Sequence, residues 1–85
     1  MKIVFAADAL ADYNHFKQAE PRIAERIKSL LTNISQTPFS GIGHPEPLRY
    51  GLTGYWSRRI TAKHRLVYRV EADTILVASC RYHYK

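Results

Sequence analysis

Three residues suited to acid–base work on a phosphodiester lie far apart in the chain. They are Glu46 in HPEPLR, Arg65 at the head of RLVYRVE, and His83 in the closing run ASCRYHYK. An imidazole ionises near pH 6.5, so His83 can give or take a proton at about neutral pH. Breaking a phosphodiester requires a base for the nucleophile, an acid for the leaving oxygen, and cations for the charge that develops around phosphorus. Glu46 is a carboxylate held between Pro45 and Pro47, whose rings stiffen the backbone on both sides. Arg49 follows three residues later. Chain ends usually fray, so His83 and its neighbours Tyr82 and Tyr84 can act only if a sheet pins the last strand.

The elements that would hold these groups follow from hydrophobic periodicity. KIVF (Lys2 to Phe5) reads as a short strand. DALADYNHFKQA reads as a helix capped by Asp8, with Leu10, Tyr13 and Phe16 at helical spacing. EPRIAERIKSLLTNIS is the clearest helix: Pro21 suits the first turn, and Ile23, Ile27, Leu30, Leu31 and Ile34 make one apolar stripe. Residues 36–53 hold three of the four glycines and three of the four prolines, and read as a long structured loop. Three strand-like runs follow, Tyr55–Thr61, Arg65–Glu71 and Ile75–Tyr84, separated by short turns that suit an antiparallel meander. The expected fold is therefore α+β, with a short N-terminal strand and a helical hairpin packed on one face of a mainly antiparallel sheet.

Strand parity sorts the side chains onto two faces. Trp56, Ile60, Leu66, Tyr68, Val70, Leu76, Ala78 and Cys80 share an apolar face that can receive the helices. Ser57, Arg59, Arg65, Val67, Arg69, Ser79, Arg81 and His83 share the other. Arg58 falls at inward parity and is expected near an edge or snorkelling. A three-residue turn, Ala72-Asp73-Thr74, keeps the apolar faces together and sets Val67 against Ser79 and Arg65 against Arg81. Two arginines directly opposed repel one another unless an anion lies between them, which suggests a phosphate on this face.

Composition narrows the function class. The 85 residues carry a net charge of +6 at an apolar share of 46%, which suits a folded domain with an anionic partner. One domain over residues 1–85 is expected. No apolar run approaches the roughly 18 residues of a membrane span. Asp8 interrupts the opening apolar patch, so no signal peptide is read. The lone Cys80 suits a reducing cytoplasm. His15, His44, His64, His83 and Cys80 follow no metal-ligand spacing, so neither a metal nor another cofactor is expected.

The run TPFSGIGHPEPLRYGLTGYWSRRITAKHRLVYRV, followed by CRYHY, closely resembles the YoeB family of toxin–antitoxin toxins, within the wider RelE-like group. The likeness covers essentially the whole chain. It implies a fold like that of small microbial ribonucleases. It also implies a ribosome-dependent endoribonuclease that cleaves mRNA in the ribosomal A site without a metal. By position it makes Glu46 the general base, Arg65 the phosphate-stabilising cation, His83 the general acid and Tyr84 a substrate-positioning group. Arg49 and Arg59 correspond to further basic, RNA-binding residues; Arg81 enters that set from strand parity. The implied partners are mRNA on the ribosome and a cognate antitoxin covering the basic site, with a homodimer as a possible further assembly. Two departures stand out: Arg49 replaces the family's common lysine, and Lys85 follows the usual terminal tyrosine. The alternative is a non-catalytic inhibitor of translation that binds the ribosome or RNA through the same basic face.

Overall fold

A computed structural model describes residues 1–82. Strand β1 (Lys2–Phe5) leads into helices α1 (Ala7–Ala19) and α2 (Pro21–Gln36). Pro21 opens α2, where its missing N–H would have had no intrahelical partner. Ala24, Ile27, Leu30, Leu31 and Ile34 form the buried stripe of α2, with Ile23 packed at its margin. In α1 the buried residues are Ala9 and Phe16, two turns apart, while Leu10 stays exposed. Its cap is Ala6 rather than the expected Asp8. Asp8 lies instead in the first turn, where a negative charge complements the helix dipole.

The remaining strands are β2 (Glu46–Pro47), β3 (Trp56–Arg59), β4 (Arg65–Glu71) and β5 (Thr74–Ser79). They form one sheet in the order β1-β5-β4-β3-β2, antiparallel except for the β1–β5 pair. Both helices contribute to a core with Ile60, Leu66, Tyr68, Ile75, Val77 and Cys80, in agreement with the α+β plan. Proline at the edge position Pro47 costs no ladder bond, since an edge strand has one side unpaired.

The β4–β5 hairpin corrects the expected register. Glu71 faces Thr74, so the turn has two residues, Ala72-Asp73, with Ala72 at φ 51°. Ile75 and Val77 therefore point into the core in place of Leu76 and Ala78. A bulge then places an extra residue, Ala78, between the Tyr68–Val77 and Val67–Ser79 pairs. That single insertion flips parity back, so Val67 opposes Ser79 as expected and Cys80 is buried. Among the described residues the ladder ends at Ser79.

Arg58 neither snorkels nor sits exposed; it is fully buried. Nε donates to the Tyr68 hydroxyl at 3.1 Å. Nη1 donates to Asn33 Oδ1 at 2.6 Å and the Ile42 carbonyl at 3.1 Å, and Nη2 to the carbonyls of Thr37 at 2.7 Å and Ser40 at 2.9 Å. All five guanidinium N–H donors are thus used, which is what allows the charge to be buried. The Tyr68 hydroxyl in turn donates to the Pro38 carbonyl at 2.8 Å. Burial pushes the Tyr68 phenol above its ordinary pKa, keeping it a neutral donor. Together these bonds hold residues 37–42 against the sheet and set the approach of the chain to Glu46.

Candidate active site

Glu46, Ser57, Val67 and Ser79 form one row across the outer face of the sheet, successive partners in the β2–β3, β3–β4 and β4–β5 ladders. In the adjoining row Arg59 directly opposes Arg65. The like-charge pair expected for Arg65 and Arg81 is therefore made by Arg59 and Arg65. Arg65 reaches back across the rows. Its Nε donates to Ser57 Oγ, and its Nη2 lies 3.3 Å from Glu46 Oε1.

The two partners differ in access. The Arg65 side chain is 11% exposed and that of Glu46 is 55% exposed. A largely buried guanidinium is thus fixed from below by Ser57, while the carboxylate above it faces solvent. Arg65 is preorganised to meet an anion without first reordering its own side chain. The second partner of such a fork need not be Glu46: an incoming phosphate oxygen can take its place.

Glu46, Pro47, Arg49 and Tyr50 line an open pocket of about 330 Å³. Tyr50 is 96% exposed and sits at φ 54°, a backbone region that side-chain-bearing residues seldom adopt. An exposed phenol beside a carboxylate and an arginine offers a stacking surface for a planar base. A larger cavity of about 430 Å³, lined by Ile3, Phe5, Tyr13 and Leu31, lies between β1 and the helices, away from these groups.

Beyond Ser79 the chain is still held. The Arg65 N–H donates to the Tyr82 carbonyl at 3.1 Å, and the Tyr82 N–H donates to His64 Nδ1 at 2.8 Å. Thus Tyr82, the last described residue, is fixed against the backbone of Arg65. His83 and Tyr84, expected as the general acid and a positioning group, lie outside the described residues.

Arg81 departs from its expected place beside Arg65. Its Nη1 lies 3.3 Å from Asp12 Oδ1 on α1, and its guanidinium rests over the rings of Phe16 and Tyr82. The end of the ladder at Ser79 removes the alternation on which the expectation depended. Cys80 is a core residue whose thiol burial pushes up to about 12, so it is protonated and unreactive at neutral pH. Of the expected groups, then, Glu46, Arg49, Arg59 and Arg65 come together, and Arg81 does not.

Two contributors escape a reading of the sequence. Ser57 falls on the correct face by parity, but nothing in its type marks it as the support of Arg65. Tyr50 looks like one loop aromatic among several, and only its exposure beside Glu46 distinguishes it.

A carboxylate and a supported arginine thus lie together on the open, basic side of a two-layer α+β domain, opposite its helices. Residues 5–84 match the model of the YoeB-like toxin of bacterial type II toxin–antitoxin systems. Toxin YoeB of Escherichia coli strain K12 is 46% identical over 84 residues, covering 99% of this chain and all of that protein. Among solved structures, the YoeB–YefM complex of Staphylococcus aureus contains a chain similar at 45% identity and a TM-score of 0.93, covering 99% of this chain and 98% of that one. The YoeB dimer of the same organism is similar at 45% identity and a TM-score of 0.94, with the same coverage. This chain belongs to the YoeB-like toxins of bacterial type II toxin–antitoxin systems.

Proposed function

We propose that the chain is a ribosome-dependent mRNA endoribonuclease that inhibits translation by cutting messages in the A site. The observation that carries this reading is the Glu46–Arg65 pair: an exposed carboxylate 3.3 Å from a guanidinium that Ser57 also holds. An incoming phosphate takes over the Arg65 fork, which frees Glu46 to act as a base. Glu46 removes the proton from a 2′-hydroxyl, and that oxygen attacks the adjacent phosphorus as the bond to the 5′-oxygen breaks. His83 protonates the departing oxygen. Arg65, Arg59 and Arg49 offset the negative charge that grows on the phosphoryl oxygens, and Tyr84 helps to position the substrate. The products are a 2′,3′-cyclic phosphate, which water then opens to a 3′-phosphate, and a 5′-hydroxyl. In the cyclising step Glu46 gains the proton that the 2′-oxygen loses, and His83 supplies the one the 5′-oxygen takes.

The Staphylococcus aureus YoeB–YefM complex supports a cognate antitoxin as the regulatory partner of this chain, and the YoeB dimer of that organism supports a homodimer. An acidic antitoxin segment laid over the Arg49–Arg59–Arg65 face would exclude the message from it.

A reconstituted translation reaction with primer extension on a defined message tests the enzyme. Wild type produces new 5′ ends at A-site codons, and Glu46→Ala and His83→Ala each lower the cleavage rate by about 10² or more. Ribosomes stalled on uncut message, equally with all three proteins, would make the chain a ribosome-binding inhibitor instead.

A further inference from the structure

His64 has no part in the reaction as written above, yet it is 5% exposed and built into the site's foundation. Its ring lies between two aromatic rings, with centroids 5.2 Å from Phe16 on α1 and 5.4 Å from Tyr82. The Thr61 hydroxyl holds the turn that carries it, accepting from the N–H groups of Lys63 at 3.1 Å and His64 at 3.0 Å. The carbonyl of His64 accepts from Ile60 at 3.0 Å and Thr61 at 3.1 Å. The imidazole is therefore fixed in place and presents Nδ1 to the Tyr82 N–H at 2.8 Å. An acceptor at Nδ1 carries no proton, which puts the ring's proton on Nε2.

Tyr82 needs that support. It has φ 60°, a costly conformation for a residue with a side chain, and such conformations persist only where the surroundings impose them. Here they do so at both ends of the residue, through the His64 ring at its N–H and the Arg65 N–H at its carbonyl. His64 and Arg65 are consecutive. One turn thus carries the phosphate-binding guanidinium and also clamps the backbone one residue before His83.

We propose that His64 is a positioning residue: as a neutral Nδ1 acceptor it anchors, beside Arg65, Tyr82, the residue from which the chain runs on to His83. The consequence for cleavage rests on the nuclease reading, whereas the anchor itself does not. The clamp is also sensitive to protons, because an imidazolium has no lone pair at Nδ1 and cannot accept from Tyr82. Burial, followed by the charge of Lys63, lowers the pKa of His64; Arg81 acts in the same direction, and Glu20 and Asp12 oppose it. The clamp therefore stays closed at neutral pH and opens in acid.

The test is amide hydrogen exchange at Tyr82 in the full chain, run beside the translation assay, on wild type, His64→Asn and His64→Leu. Asparagine keeps a carbonyl near the place of Nδ1; leucine keeps bulk without an acceptor. His64→Leu is expected to lose about 5- to 150-fold of Tyr82 protection, with β4 and β5 still protected, and His64→Asn to recover most of it. As pH falls through the lowered His64 pKa, Tyr82 protection falls in wild type and stays level in His64→Asn. Cleavage follows the same order, through kcat rather than KM. Equal Tyr82 protection in wild type and His64→Leu overturns the anchor, and so do parallel pH curves for wild type and His64→Asn, even if His64→Leu proves unfolded. Lost protection with unchanged kcat overturns the positioning role. A wild type that cuts no message counts against the nuclease reading, and the exchange data then decide the anchor alone.

Discussion

Arg65 shows why residue identity matters here beyond charge. Its Nε is committed to Ser57, and its Nη2 faces Glu46. A lysine has one compact ammonium and cannot serve both partners in that geometry. Arg65→Lys is therefore expected to lower single-turnover cleavage on the ribosome by about 10², the usual scale for losing one oriented donor to a developing oxyanion. Full activity in that variant would show that charge alone suffices. The meeting of Glu46 and Arg65 is partly legible in the sequence, because prolines hold Glu46 on both sides and parity gives Arg65 a face. Ser57 cannot be chosen, since a strand serine gives no sign of which neighbour it supports. Arg81 is misplaced for a related reason: alternation is carried past Ser79, where the ladder has ended and Asp12 captures the guanidinium.

At the level of elements, the loop that brings Glu46 to the sheet depends on Arg58 and Gly43. A Cβ on Gly43 would meet Leu30 Cδ2 at 2.7 Å, and its φ of 80° disfavours any side chain. Its carbonyl accepts from the Arg59 N–H at 2.7 Å, tying the loop to β3. Replacing Arg58 by methionine removes the shared donor of acceptors on Asn33, Thr37, Ser40, Ile42 and Tyr68. We expect Arg58→Met to cost on the order of 1–3 kcal/mol, measured by urea unfolding, the scale of leaving hydrogen-bonding groups unsatisfied. A cost within about 0.5 kcal/mol, typical of surface substitutions, would contradict the clamp. The helices, by contrast, are readable in outline. Pro21 and the 3.6-residue stripe of α2 describe a local pattern, and local patterns survive folding. The β4–β5 turn is not readable, because a two-residue turn with a later bulge and a three-residue turn without one give the same Val67–Ser79 pairing. Sequence parity sees the net offset and not where it is taken up. Arg58 fails for the converse reason. A charge at an inward position reads as an exception until the tertiary structure supplies five acceptors.

For the molecule as a whole, the helical layer buries one side of the sheet, and the basic residues around Glu46 are left on the other. The net charge of +6 thus has a direction as well as a size. The fold puts the cluster of Arg49, Arg59 and Arg65 on the face left open by the helices, the surface on which the proposed reading places an anionic partner. Stability is tied to protons through His64. The unfolded chain binds a proton at this residue with a pKa of about 6.5, and the folded chain binds it less well. The contribution of this group is therefore complete above about pH 6.5, is lost as pH falls through the lower folded value, and levels off beneath it. The urea midpoint should fall between about pH 7 and pH 5, and fall less in His64→Asn. Equal slopes in the two proteins would assign the acid sensitivity to other groups.

If Glu46 acts as a general base, the nucleophile is the 2′-hydroxyl beside the cut bond, and one message variant tests that origin directly. A defined mRNA is prepared with a single 2′-deoxynucleotide on the 5′ side of the bond cut in the A site, and its cleavage on programmed ribosomes is compared with that of the all-ribose message. Loss of cutting at that bond alone, with 2′,3′-cyclic phosphate or 3′-phosphate ends at the unmodified bond, is the outcome expected of Glu46 acting on a 2′-hydroxyl. Cutting of the deoxy-substituted bond at the unmodified rate would contradict it.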